Sequence, residues 1–428
     1  MSSRPAAIRI DDLAEPRFSA AAREMLDGMA VFGAGVDLDV AAIVAEARAQ
    51  TALDDLADDG DAAFLERLRV LAGALEREGA LSAGGRLVAR AQLSQIVTNR
   101  LLAHDYVARH PELRDEPIVA PIVIVGLPRT GTTHLHNLMA ADRELRSLAY
   151  WESLEPVPPR AEQPDCGGQL DGRRERCAAG IAFVDEVMPE FHRMHEMTVD
   201  HVHEEIQLLA IDASTMLFET TALVPSWRDY YRAHDQRSSY EFLRELLQVC
   251  QHQREGAKRW VLKSPQHLEQ IPAVLHAFPD ATVVFTHRDP VSVIASFATM
   301  AAYSARTNHD APIDVQAIAR YWCDRILDLY AACVRDRDLV PVGRSVDVQF
   351  DDFMIDDVAM VERIYGVAGL EFTGDTRAAM DAFMADHPRG KFGGVIYDLD
   401  QLGLDAREIR AAAAPYIERF SVPLEDRW

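Results

Sequence analysis

The sequence predicts an α/β protein in which a doubly wound parallel sheet, flanked by helices, follows an N-terminal helical extension. Three observations predict it. Ile122-Val123-Ile124-Val125, Trp260-Val261-Leu262 and Thr282-Val283-Val284-Phe285 are short, continuous apolar runs, the mark of strands buried on both faces of a parallel sheet. Helical segments separate the runs, so strand and helix alternate. Each run is followed by an unusual polar cluster, in the loops beyond the strand C-termini where open α/β sheets bind ligands.

Taken in order, residues 1–115 read as the helical extension, a cap with no chemistry of its own, and residues 116–428 as the sheet-bearing domain. Phe64, Leu68, Leu71 and Leu75 fall on one helix face, with Asp61 as the expected N-cap. Gly79 and the Gly84–Gly85 pair predict a break before a second helix running from Arg86 towards His104. Beyond the three apolar runs, Val346, Val348 and Phe350 alternate and predict a further strand. No internal repeat interrupts this pattern.

The chain has 428 residues, 44 basic against 68 acidic, for a net charge of −24. That field repels nucleic acid and anionic membranes, so no nucleic-acid partner is expected. No apolar run approaches the ~18 residues that cross a membrane, and the opening residues show no apolar leader core. The five cysteines include no C-x-x-C pair, which argues against a disulfide framework or a thiolate zinc site and for a reducing, cytoplasmic location.

The first cluster, Gly126-Leu127-Pro128-Arg129-Thr130-Gly131-Thr132-Thr133, runs into a helix through Leu135, Leu138 and Met139. Strand, glycine-bearing turn and helix N-terminus make an anion cradle of the P-loop type. Gly126 and Gly131 have the spacing of G-x-x-x-x-G-K-[ST], yet Thr132 stands where that loop has lysine. The cation sits inside the loop instead, at Arg129, where a guanidinium can grip a terminal anionic group with two hydrogen bonds.

The second cluster is His287-Arg288-Asp289-Pro290, with Asp289 as N-cap and Pro290 at the first helical position. On the helix that follows, Val291, Ile294, Ala295 and Ala298 form an apolar face and Ser292, Ser296 and Thr299 a polar one. Arg288 with a serine hydroxyl makes a second phosphate site. Two cradles on one sheet predict a nucleotide with phosphates at two positions.

The third cluster is Lys263-Ser264-Pro265-Gln266-His267, read as a strand tip, an N-cap, a first helical residue and a first-turn histidine. Lys263 can neutralise charge on a leaving group, an effect often worth ~10²–10³ in rate. His267 reads equally as a base and as a structural residue. The tract from His192 to Glu205 lacks H-E-x-x-H, since Val199 occupies the second histidine position. An H-x-H metal site at His201 and His203 is the lesser reading. Lining of an acceptor pocket, or a helix packed under the loop, is favoured, and no metal is expected. Phe191, Met194, Met197, Phe218, Trp227, Tyr230 and Tyr231 are the expected acceptor wall, fitting a small or lipid-like alcohol or phenol.

These stretches resemble the sulfotransferase superfamily that uses 3′-phosphoadenosine 5′-phosphosulfate. Within it they are most similar to bacterial-type sulfotransferase family proteins with a helical N-terminal extension. The resemblance lies in GLPRTGTTHLHNLM (126–139), RWVLKSPQHLEQ (259–270), FPDATVVFTHRDPVSVIASF (278–297) and GKFGGVIYDLDQLGL (390–404), and with the helical residues 50–115 it covers most of the chain. It implies sulfuryl transfer from that nucleotide to a hydroxyl acceptor. Arg129, Thr130, Gly131, Thr132 and Thr133 would bind the 5′-phosphosulfate, and Arg288 and Ser296 the 3′-phosphate. Lys263 would contact the transferring group, and Arg389 or Lys391 would touch the 3′-phosphate. The family's lysine-x-histidine base pattern is absent, because His267 lies four residues after Lys263. The resemblance implies Glu152 as base ahead of His267, with His195 and His203 in reserve. The competing readings are an ATP-dependent P-loop kinase, disfavoured by Thr132, and a non-catalytic nucleotide-binding module, disfavoured by Lys263 and the candidate base.

Overall fold

The computed structural model describes residues 5–56, 61–168 and 170–428. The extension is helical: α1 (Ala20–Gly33), α2 (Val40–Thr51), α3 (Asp61–Glu78) and α4 (Ala83–Arg109). Phe64, Leu68, Leu71 and Leu75 are all buried on one face of α3, while the side chain of the expected cap, Asp61, lies outside the described residues. Gly79 follows the last residue of α3, as expected. The Gly84–Gly85 pair does not break the chain: it lies in the first turn of α4, which Ser82 caps through the Gly85 amide at 3.0 Å. A side chain at Gly85 would strike the Asn308 backbone, so packing, not flexibility, explains the glycine.

The remainder follows as β1 (Ile122–Val125), α5 (Thr132–Ala140), β2 (Leu145–Arg146), β3 (Leu148–Ala149), α6 (Tyr150–Leu154), α7 (Arg173–Val187), β4 (Val202–His203) and α8 (Ile206–Ala210). Then come α9 (Pro225–Ala233), α10 (Arg237–Gln253), β5 (Arg259–Lys263), α11 (Ile271–Ala277), β6 (Thr282–His287) and α12 (Pro290–Ser304). The last elements used below are α13 (Val315–Asp336), β7 (Ser345–Gln349), α14 (Phe350–Ile355), α15 (Asp357–Ala368) and α16 (Gly374–Asp386). The predicted last strand stops one residue early, because Phe350 opens α14.

The main sheet has the order β2-β5-β1-β6-β7 with every pairing parallel. Alternate residues serve opposite faces, as a strand period of two requires. Ile122, Ile124, Val261, Val284, Val346 and Val348 pack with α5, α14, α15 and α16. Val123, Val125, Leu262, Val283 and Phe285 enter the larger core shared with α3, α4 and α10–α13. The chain leaves β1 on one side and returns to it on the other, so the crevice for a ligand opens at the tips of β5, β1 and β6. The short pair β3–β4 is antiparallel and lies outside this sheet. No helix among the described residues is long and apolar enough to cross a membrane.

One buried carboxylate fastens the extension to the rest. Asp212 Oδ1 accepts from Arg67 of α3 at 2.5 Å and Arg100 of α4 at 2.8 Å, while Oδ2 accepts from Ser239 of α10 at 2.6 Å. All three charged residues are under 5% exposed, where removing one member of an ion pair costs more than the pair contributes at a surface. Asp212→Ala is expected to lower unfolding free energy by about 3–5 kcal/mol. Asp37→Ala, which breaks the exposed contact to Arg90, should cost under about 1 kcal/mol. Equilibrium unfolding in urea measures both.

Candidate active site

The loop after β1 is held by its own backbone. A side chain at Gly126 would collide with the Thr286 hydroxyl on β6, so the loop can press against that strand only with glycine there. Thr130 Oγ1 lies 2.6 Å from Thr286 Oγ1 and donates to the Leu127 carbonyl at 2.6 Å. Arg129 and Gly131 both take positive φ, 74° and 89°, a turn that brings successive amides to one side. Gly131 caps α5 without a side-chain hydrogen bond, so the first-turn amides at Thr132 and Thr133 remain donors for an anion. Arg129 donates to the Met194 carbonyl at 2.7 Å, and its Nε is buried with no partner among the described residues.

At the tip of β5, Lys263 is 2% exposed and its ammonium is ion-paired with Glu204. The neighbouring Glu205 is fully buried; it accepts from the Lys263 amide at 2.9 Å and touches His267 Nε2. Burial pushes the Glu205 carboxyl up, but the His267 ring, its hydrogen bond and the Lys263 amide prevail and hold it below the ordinary carboxylate range. His267 Nδ1 meets the Tyr240 hydroxyl at 2.7 Å. Ser264 precedes a 3-10 turn, Pro265–Glu269, rather than an α-helix, and makes no capping hydrogen bond.

At the tip of β6, Asp289 and Pro290 start α12 as expected, with Asp289 accepting from the Val291 amide at 2.9 Å. Arg288 lies over the Phe350 ring at 3.9 Å, donates to the Arg129 carbonyl at 2.6 Å and to Glu425 at 2.7 Å. The serine face of α12 is as buried as its apolar face. Ser292 accepts from Arg427 at 2.9 Å and Trp428 at 2.7 Å, whereas Ser296 Oγ is buried without a partner among the described residues.

The structure thus brings Arg129, Thr130, Gly131, Thr132 and Thr133, Lys263, and Arg288 with its helix to neighbouring strand tips. The two expected bases are each engaged with other side chains. Glu152 faces Arg254 at 3.2 Å and Arg146 at 3.8 Å. Burial raises its carboxyl despite those two arginines. His267 is 1% exposed and committed on both ring nitrogens. Arg389 pairs with Asp357 at 2.7 Å, and Lys391 with Glu196 at 2.7 Å. Both lie on the turn around Gly390–Gly394, which Ile8 joins through hydrogen bonds with Gly394 and Ile396.

The histidine tract is not a helix under the loop: a 3-10 turn at Phe191–Arg193 leads through irregular chain to β4. It places His195, His201 and His203 together. Most of the expected acceptor wall is core instead. Phe218, Trp227 and Tyr231 are at most 1% exposed, because α9 lays its aromatic side against α3 and the turn carrying Phe218. The Met194 side chain is also buried in the core, with Phe191 packed against it, and only the Met194 carbonyl meets Arg129. Sequence reasoning missed Glu204, Glu205 and Glu425 as partners of the site. Only the quoted tract ending in Glu204-Glu205 carried any signal of them.

A family model described as the sulfotransferase family matches residues 121–374. The chain is 23% identical over 294 residues to omega-hydroxy-beta-dihydromenaquinone-9 sulfotransferase Stf3 of Mycobacterium bovis, covering 64% of this chain and 69% of that protein. The crystal structure of sulfotransferase STF1 from Mycobacterium tuberculosis H37Rv matches with a TM-score of 0.74 and 28% identity, over 88% of this chain and 98% of that one. Sulfotransferase STF9 from Mycobacterium avium matches with a TM-score of 0.78 and 25% identity, over 90% and 97%.

Glu205 has a depressed carboxyl, so its contribution is complete above the unfolded value of 4.5 and lost as pH falls through the folded value. Glu205→Ala should lower unfolding free energy by about 3–5 kcal/mol at neutral pH. That deficit should narrow steadily below pH 4.5, as read by urea unfolding across pH.

Proposed function

The chain belongs to the sulfotransferase family and is a sulfuryl-transferring enzyme; from that premise we propose that its donor is 3′-phosphoadenosine 5′-phosphosulfate and its acceptor a hydroxyl of a lipid-like molecule. The observation that carries the donor is the meeting of two cation-bearing cradles, around Arg129 and around Arg288, across the β1–β6 crevice, joined by the Arg288 to Arg129 hydrogen bond at 2.6 Å. The acceptor class is supported by the Mycobacterium bovis relative, named for an omega-hydroxy menaquinone derivative.

In this reading the amides of Gly131, Thr132 and Thr133 hold the 5′-phosphosulfate, with Thr130 bracing the loop. Arg129 and Lys263 take up negative charge on the sulfuryl oxygens and the departing phosphate. Arg288 and Ser296 hold the 3′-phosphate, with Arg389 and Lys391 at its outer side. Ser296 Oγ, buried and unpartnered among the described residues, is the kind of donor a phosphate oxygen satisfies. We assign the base to Glu204 in place of Glu152 or His267. Its carboxylate already meets Lys263. When the sulfuryl oxygens take over Lys263, Glu204 is freed to accept the acceptor's hydroxyl proton, an effect typically worth ~10²–10⁴. The acceptor oxygen then forms a bond to sulfur as the bond from sulfur to the phosphate oxygen breaks, and adenosine 3′,5′-bisphosphate leaves. Alignment and charge placement carry the rate, as in phosphoryl transfer.

Calorimetric titration tests the donor. Adenosine 3′,5′-bisphosphate should bind at least tenfold tighter than 5′-AMP, and Arg288→Ala should remove that advantage. ATP-Mg²⁺ binding equally well or better overturns the reading in favour of a kinase. Lys263→Met and Glu204→Gln should each lower transfer to a lipid alcohol by about 10²-fold or more with bisphosphate affinity largely kept. Tight bisphosphate binding with no transfer to any alcohol would favour the binding module.

A further inference from the structure

We propose that His195, His201 and His203 form a binding site for a divalent transition-metal ion of the zinc type, beside the Lys263 end of β5. Imidazole nitrogens of all three lie within 4.8 Å of one another. Zinc–nitrogen bonds of about 2.0–2.1 Å set tetrahedral ligands about 3.3 Å apart, so small ring rotations close the set. The rings meet edge-on, with centroids 5.5 Å apart for His195–His201 and 5.9 Å for His201–His203.

The backbone explains the convergence. His201 and His203 are two residues apart on extended chain, which puts them on one side. The antiparallel pairing Leu148↔His203 and the 2.9 Å hydrogen bond from the Tyr150 amide to the His201 carbonyl fix them there. His195 is delivered by the turn in which its amide bonds the Phe191 carbonyl at 2.8 Å.

A second observation points to a ligand. His203 is 7% exposed, and its Nδ1 is buried with no hydrogen-bond partner among the described residues. A buried imidazole nitrogen in a native structure is normally satisfied, and a metal ion satisfies it.

The donor set decides the ion. Three imidazoles do not suit Mg²⁺ or Ca²⁺, which take oxygen ligands. They suit Zn²⁺, Co²⁺, Ni²⁺ or Cu²⁺, with a coordination position left open. Of the nearby cations, Lys263 is paired with Glu204, and Arg129 is turned to the Met194 carbonyl. An open position here would take water or the acceptor's hydroxyl; that role rests on the reading of donor and acceptor above, whereas metal binding does not.

His110, Glu112 and His252 form a competing surface group, in which one nitrogen of each ring has an outside partner, His110 Nε2 with Asp165 at 3.0 Å and His252 Nδ1 with Tyr106 at 2.9 Å, and the other faces Glu112. The test is Co²⁺ titration of the metal-stripped full chain, read by visible ligand-field absorption, with Zn²⁺ affinity from competition with a chelating dye. One equivalent should bind. Affinity should fall at least tenfold in His201→Ala and in His195→Ala, and stay unchanged in His252→Ala. X-ray absorption of the zinc-loaded wild type should count three histidine ligands, a reading that survives if a variant fails to fold. Absence of binding, retention of full affinity in both variants, loss only in His252→Ala, or fewer than three histidines overturns the proposal. Adenosine bisphosphate binding should be indifferent to chelators, so failure here leaves the donor reading standing.

Discussion

The Glu205 carboxylate holds the tip of β5 and the histidine-bearing segment in one place. It spans the Lys263 amide and the His267 ring, and His267 in turn is fixed by Tyr240 of α10. A fully buried carboxylate persists only when its oxygens are satisfied by such partners. Because Glu204 precedes it, fixing Glu205 also aims Glu204 at the Lys263 ammonium. The His195–His203 segment is pinned at that same end by its pairing with β3, and at its other end by the hydrogen bond from Arg129 to the Met194 carbonyl. His267 spends both nitrogens on this brace.

What could be read in the sequence is what local chemistry decides. The β-branched runs became β1, β5 and β6, because continuous apolarity leaves a four- to six-residue segment nowhere to go but between two layers. Asp289-Pro290 started α12 where an N-cap and a first-position proline must. What could not be read depends on partners distant in the chain. Glu152 has the sequence position of a base, yet two arginines, one of them more than 100 residues away, absorb it. The serine face of α12 carries no signal that residues 425–428 will cover it. Gly84–Gly85 looked like a break because glycine's usual role is conformational; here the missing side chain admits the Asn308 backbone.

The site is cationic within a chain of net charge −24, and all its cations except Arg129 are paired with carboxylates. Arg129 has a carbonyl, Lys263 has Glu204, Arg288 has Glu425, Arg389 has Asp357 and Lys391 has Glu196. Such pairing holds long side chains in place before a ligand arrives, which limits the entropy lost on binding. In the proposed donor reading, binding at Lys263 and Arg288 is an exchange of one anion for another. Selectivity then depends on how well a ligand's charges match the carboxylates that they replace.

The contact between Glu425 and Arg288 gives this exchange a population. Glu425 takes the Nε–H of Arg288, and Arg427 and Trp428 cover Ser292, so in the proposed donor reading a phosphate engages that edge of the guanidinium only in the fraction of molecules in which residues 425–428 have lifted away. The apparent affinity of any anion for Arg288 is its intrinsic affinity scaled by that fraction. In that reading residues 425–428 act as a built-in competitor whose concentration never changes, and the strength of their grip sets the ligand level at which the site begins to fill.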